Sequence, residues 1–337
     1  MHSHLRSIRV AHEKGWFVKS SQASKRWRSV WWHEHRPTRI ATSVVVIGGL
    51  GAMLSGCSLV AAESPTDSKK SELAVGHIHG LAVDAENGDL FIATHTGVYR
   101  LPAGGDASGT LLEGPIGGNK EDTMGFTMSD GVMFGSGHPD PAGPDAELPS
   151  LGLIASTDRG ATWRPVSLAG QADFHDIAAG ENGDNDAYSL FAYDGATGAV
   201  LHSSDSGATW SRGADVVARD ITFDENTGTL YAALENGVAA SSDDGATFVI
   251  VDAPALYLIE ALNDGSGRLV GVDVDGAVWL KTPEDAWRET GAVAGMVEAL
   301  TYSDGSGPLL VVADTRGVST SLDFGASWET VIAAPKD

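Results

Sequence analysis

The chain has almost no cysteine. One residue of 337 is Cys, at position 57, so no disulfide staples the fold and the core is held by apolar burial alone. Basic residues are scarce beyond the first 56. That segment carries nine of the 22 Lys and Arg but only two of the 45 Asp and Glu, so its removal moves the net charge from −23 to −30. A surface this acidic repels nucleic acid and anionic membrane, which excludes nucleic acid as a partner. A comfortable membrane span is also missing. The apolar run 40–56 (IATSVVVIGGLGAMLSG) has 17 residues, four of them Gly, at the lower limit for a spanning helix. Residues 74–337 show no helical periodicity and no contiguous metal motif of the HExxH kind.

What is present begins with an export signal. A basic stretch over 1–39 leads into the uncharged run 40–56, and Leu54-Ser55-Gly56-Cys57 follows the pattern of a lipobox. Positive charge, then an apolar run, then small residues before a break is the layout of a secretory signal. The lone Cys fits it, because a thiol at a new N-terminus is an acyl acceptor, and several acyl chains anchor stably where one does not. The expected organisation is therefore a basic leader plus lipoprotein signal peptide over 1–56, a lipidated Cys57 with a flexible tether over 57–73, and a globular domain over 74–337. The protein is expected outside the cytoplasm, held to the membrane through lipid on Cys57. The tether (SLVAAESPTDSKKSEL, 58–73) is polar and small-residue rich, as a disordered linker is.

The domain contains a repeat. STDRGATW at 156–163 returns as SSDSGATW (203–210), SSDDGATF (241–248) and SLDFGASW (321–328), with a degenerate copy, KTPEDAW, at 281–287. Gly supplies the positive φ of a tight turn, the Asp carboxylate accepts local N–H groups, and the aromatic opens the next strand. Asp158, Asp205, Asp243 and Asp323 are thus read as structural. Between the turns lie short alternating apolar runs, the pattern of antiparallel strands. Six aligned segments start a repeat of about 40 residues: HGLAV (79–83), MGFTM (124–128), HDIAA (175–179), RDITF (219–223), IEALN (259–263) and VEALT (297–301). Four strands at this period make a propeller blade. The expected fold is all-β, a six-bladed β-propeller of four-stranded antiparallel blades.

In that architecture the starts of the innermost strands and the ends of the second strands share one face, where a site would form. His79, His175 and Arg219 open inner strands, while His95 and His138 end second strands, and His77 precedes His79 by two residues on the same side of an extended chain. Of the six His residues after Cys57, only His202 falls elsewhere. His77, His79, His95, His175 and Arg219 are therefore candidate ligand-binding residues. Imidazole with carboxylate suits a divalent transition metal, and His79, His95, His138 and His175 are the candidate ligands. Asp176, Asp220, Glu260 and Glu298 follow the strand starts and are candidate catalytic carboxylates, since glycoside hydrolysis uses two such groups facing each other.

The Ser-x-Asp-x-Gly-x-Thr/Ser-aromatic turns resemble the Asp-box, or BNR, repeat of sialidases and other propellers. The opening HIHGLAV…FIATHTGVYRL, followed by these turns, is similar to secreted bacterial lipoproteins identified as glycosyl hydrolases or exo-α-sialidases. The resemblance implies cleavage of sialic acids or related sugars, with three Arg on the substrate carboxylate, a Tyr nucleophile paired with Glu, and an Asp acid/base. Arg219 is the one Arg at an inner-strand start, Tyr257 the nearest Tyr, and the early Arg-Ile-Pro motif is absent. That catalytic set is not carried over. Box-bearing propellers also serve as protein-binding platforms. The reading is a ligand-recognising propeller, taking a glycan, metal or protein segment at its mouth, with glycoside hydrolysis as the alternative. Nothing in the sequence calls for an oligomer.

Overall fold

The computed structural model describes residues 76–104, 112–182, 187–282, 284, 286–305 and 307–334. The leader, Cys57 and the tether lie outside the described residues. Six antiparallel sheets follow one another along the chain. The first holds β1 (Ile78–Val83), β2 (Leu90–Thr94) and β3 (Gly97–Leu101); the second β4 (Asp122–Ser129), β5 (Val132–His138), β6 (Leu153–Ser156) and β7 (Arg164–Ser167). The third holds β8 (Phe174–Asn182), β9 (Ala187–Asp194), β10 (Ala199–Ser203) and β11 (Ser211–Asp215); the fourth β12 (Ala218–Asp224), β13 (Thr229–Leu234), β14 (Gly237–Ser241) and β15 (Val249–Ile250). The fifth holds β16 (Leu256–Ala261), β17 (Leu269–Asp273), β18 (Ala277–Lys281) and β19 (Trp287–Ala292); the sixth β20 (Val297–Ser303), β21 (Leu309–Asp314), β22 (Gly317–Ser321) and β23 (Glu329–Ala333). The fold is a six-bladed β-propeller. Its first blade has three strands among the described residues, and a bridge from Arg100 to Glu113 stands where the fourth would run. The one helical element among the described residues is the 3-10 turn Ile116–Gly118.

Alternating side chains bury one row against each neighbouring blade, so each of the six junctions has its own apolar core. Phe91 and Met133 pack between blades one and two, Phe174 and Leu190 between two and three, and Phe191 and Leu230 between three and four. Leu256 and Leu269 fill the next junction, and Val272 and Leu310 the one after. The ring closes where Ile78 and Ile92 of the first blade meet Val311 and Ile332 of the last. No strand is exchanged between these two blades among the described residues.

The Ser-x-Asp-x-Gly turns form one repeated hydrogen-bond unit. In the third blade Asp205 Oδ1 accepts from Ser203 Oγ and from Thr209 N, each at 2.8 Å, and Gly207 N donates to Ser203 Oγ at 2.8 Å. Hydrogen bonds from Thr209 and Ser203 hold the Asp205 carboxyl down at about 2. The closing aromatic packs toward the preceding blade: Trp210 Nε1 donates to Ser167 Oγ at 2.9 Å, and Trp328 Nε1 to the Ala292 carbonyl at 2.9 Å. Asp158, Asp243 and Asp323 repeat the arrangement.

Every inner strand carries a bulge near its start. The pairing with the second strand slips at His79, Met124, His175, Arg219, Tyr257 and Glu298. An extra residue on one strand bends it and re-aims its side chain. The alignment read from sequence places four of these correctly and needs correction in two blades. Glu298 is itself the bulge residue of the sixth blade. Tyr257, not Ile259, takes that place in the fifth, which moves Glu260 two residues deeper along its strand than Asp220.

Candidate functional site

The inner strands enclose a channel of about 370 Å³. The bulges gather side chains at one mouth, with contributions from the ends of β2 and β5. On the side of the first three blades these form a continuous arc. His79 Nε2 lies 3.1 Å from His95 Nδ1, and His95 Nδ1 lies 2.9 Å from Asp122 Oδ1. His79 Nε2 is 3.4 Å from the same Asp122 oxygen. One ligand nitrogen each from His77, His79 and His95 falls within 4.8 Å of the other two. His77 Nε2 is also 3.9 Å from Glu298 Oε1, across the ring closure. Beyond Asp122 the arc continues through His138, whose Nε2 lies 3.8 Å from Asp173 Oδ2, to His175, whose Nε2 lies 3.0 Å from the same oxygen.

Burial and neighbouring charge shift four groups of the arc. Burial pushes the His77 and His79 imidazoles below their ordinary values, against the raising pull of Glu298 on His77 and of the Asp122 hydrogen bond on His79. Burial works the other way on Asp122 and Asp173, but hydrogen bonds and charge from the neighbouring histidines outweigh it and hold both carboxyls low. Neutral imidazoles beside ionised carboxylates are the protonation states a metal ion requires. His79 is largely enclosed, while His77 and His95 are half exposed, with side-chain exposures of 9%, 52% and 49%. The set is therefore open to solvent on one side.

The structure brings His77, His79, His95, His138 and His175 to the same mouth. Arg219 comes to the mouth too, with its guanidinium 4.5 Å above the Tyr257 ring and its Nη2 donating to the Glu298 carbonyl at 3.5 Å. His202 lies apart, stacked on Phe191 at 4.6 Å. Two residues that bind the arc together, Asp122 and Asp173, escaped the sequence reading. Each precedes a bulge residue by two positions, as His77 precedes His79, and that shared offset was the available signal.

The four candidate carboxylates separate into two groups. Glu298 stands at the mouth, and its Oε2 accepts the Ile78 N–H at 3.0 Å. Asp176, Asp220 and Glu260 lie deeper, and two of them hold the next blade in place. Asp176 Oδ2 accepts the Ile221 N–H at 2.5 Å, and Asp220 Oδ2 accepts the Ile259 N–H at 2.6 Å. Glu260 accepts from Thr222 Oγ1 at 3.3 Å and Thr301 Oγ1 at 3.5 Å. Burial raises all three: Asp176 to about 6, Glu260 to about 8, and Asp220 well above the usual carboxylate range, where the neighbouring Asp176 charge adds to the effect.

No family model matches the chain, and no curated protein matches it. Solved propellers do match in fold. A structure described as a nidogen/laminin complex aligns at TM-score 0.54 and 15% identity, covering 71% of this chain and 91% of that one. A gluconolactonase, XC5397 from Xanthomonas campestris, aligns at TM-score 0.54 and 12% identity, covering 74% and 86%. A structure described as YCF48 bound to D1 peptide aligns at TM-score 0.47 and 17% identity, covering 77% and 82%. At such identities the likeness extends to the propeller fold and no further.

Proposed function

We propose that the chain is a lipid-anchored, extracytoplasmic propeller that binds a divalent transition-metal ion at its channel mouth. His77, His79 and His95 supply the imidazoles, and Asp122 supplies the charge. The observation that carries this reading is the convergence of three imidazole nitrogens within 4.8 Å of one another, with an ionised carboxylate 2.9 Å from one and 3.4 Å from another. Three His plus an oxygen donor matches the preferences of zinc and copper. The sulfur-free ligand set is also suited to an oxidising compartment, in keeping with the lipobox at Cys57. The exposed flank of His77 and His95 leaves room for an exogenous ligand on the ion, such as a glycan hydroxyl, a carboxylate or a protein side chain.

Hydrolysis by a facing carboxylate pair has less support. Asp176 and Asp220 each commit an oxygen to the backbone of the next blade, and no second Arg is placed beside Arg219 by any contact among the described residues. Elemental analysis of the purified full chain after loading with Zn²⁺ and dialysis tests the metal reading. The expected result is tightly held zinc that falls by at least one equivalent per chain in His77→Ala/His95→Ala. Equal zinc in the two proteins would rule the mouth out as its binding site.

A further inference from the structure

We infer that the metal ion at the mouth is the fastener between the first and second blades, so that its occupancy sets whether the first blade is locked into the ring or free to open at that end. The inference rests on the mouth being a metal site, and adds a conformational role to it. Every other junction has a side chain of one blade bonded to the inner strand of the next. Ser136 Oγ of the second blade accepts the Phe174 N–H of the third at 3.1 Å. Asp176 accepts the Ile221 N–H at 2.5 Å and Asp220 the Ile259 N–H at 2.6 Å. Thr301 Oγ1 of the sixth blade donates to Glu260 Oε1 of the fifth at 3.5 Å, and the Ile78 N–H of the first donates to Glu298 of the sixth at 3.0 Å.

Between the first and second blades the described residues show such a contact to β4 at one place, the metal-ligand set. Gly80 follows the bulge of β1, where Asp176 and Asp220 follow the bulges of their own strands. It has no side chain to reach across, and a Cβ there would already lie 3.0 Å from Phe126 Cβ. What faces the second blade at the mouth is His79 and His95, at 3.4 Å and 2.9 Å from Asp122 Oδ1 at the start of β4. An ion ligated by both sides would take the part that Asp176 and Asp220 play further round the ring.

The opposite end of the same junction is tied without an ion. Arg159, in the box turn of the second blade, donates through Nε to Asp84 Oδ2 at 2.5 Å and through Nη2 to Glu86, both in the turn after β1. Phe91, Phe126 and Met133 fill the middle. The junction is therefore built to hinge at its far end and to open at the mouth. On its other flank the first blade meets the last by packing and by the Ile78–Glu298 bond, with no strand shared among the described residues. An ion that binds the closed arrangement makes such openings rarer in proportion to its excess over Kd, by about a hundredfold at a hundredfold excess.

The test is hydrogen exchange of the full chain read by mass spectrometry, zinc-loaded against EDTA-treated, with zinc content measured on the same samples. His77→Ala/His95→Ala is run beside the unaltered chain. At about a hundredfold excess of free zinc over Kd, peptides from β1, β2 and β4 are expected to exchange at least about tenfold more slowly, while peptides from β13 and β17 keep their rates. The variant is expected to show no effect of zinc on β1, β2 and β4. Zinc bound by the unaltered chain with no slowing, or with equal slowing in every blade, would overturn the fastener and leave the metal site standing. Slowing in β1, β2 and β4 that persists in the variant would overturn it as well. Zinc content no higher in the unaltered chain than in the variant would remove the site and the fastener together.

Discussion

At the scale of single residues, the mouth is a contest between burial and partnership. His79 is enclosed enough to be neutral, yet keeps Asp122 within 3.4 Å. Glycines decide how closely such groups approach. A Cβ at Gly125 would lie 2.6 Å from the Phe174 carbonyl oxygen, so the inner strands of blades two and three could not sit as they do. Gly125→Ala is predicted to cost roughly 1–3 kcal/mol, the usual range for overpacking. Urea unfolding measures it, and an unchanged midpoint would show that these blades have slack. Asp122 and Asp173 show why the site was only partly legible. The histidines stand out because five of the six after Cys57 fall at aligned strand ends, whereas Asp is abundant here and says little by its presence. Only the offset of two from each bulge marks these two as different.

At the scale of elements, the repeat was legible because turns impose local chemistry. The Ser, Asp and Gly of each box bond within a few residues of each other, so the pattern survives in the sequence. The bulges are different, because their register is fixed by the neighbouring blade. Glu260-Ala261-Leu262 and Glu298-Ala299-Leu300 are identical triplets that invite alignment, yet the bulge falls at Tyr257 in one strand and at Glu298 in the other. The shift puts Glu260 inside the channel with Asp176 and Asp220. Their raised values have a consequence for stability. A carboxyl whose folded value exceeds its unfolded value near 4 contributes stability at low pH, and that contribution is lost as pH rises through the folded value. Here the loss begins above the unfolded value near 4 and is complete by about 6 for Asp176 and by about 8 for Glu260. Thermal melting in EDTA is predicted to show stability declining from about pH 7, above the range in which histidines titrate, to about pH 8, where Glu260 does. Glu260→Gln should flatten the upper part of that decline. A variant as steep as the parent above pH 7 would contradict the placement of Glu260.

At the scale of the whole molecule, the ring closes among the described residues by packing and by a cross-blade hydrogen bond, Ile78 N–H to Glu298, rather than by a shared strand. A metal ion at the mouth would tie the first blade to the second, since its ligands come from the first blade and from Asp122 of the second. A ligand bound only by the folded state stabilises it by mass action, by about 2.7 kcal/mol at a hundredfold excess over Kd. Zinc is therefore predicted to raise the melting temperature at neutral pH. The gain should fade as pH falls below about 6, because protonated imidazoles cannot ligate. The apo protein gains nothing to offset this, since His77 and His79 have lowered values and lose their own stabilising contribution in the same direction. A zinc effect equally large at pH 5 would point to carboxylates elsewhere.

The most direct test is X-ray absorption at the zinc edge on the loaded full chain, compared with His77→Ala/His95→Ala. The account predicts a first shell of nitrogen and oxygen at about 2.0–2.1 Å, with the outer-shell scattering of several imidazole rings, and a marked loss of that imidazole signal in the variant. A shell of oxygen alone, or a spectrum the variant leaves unchanged, would contradict it.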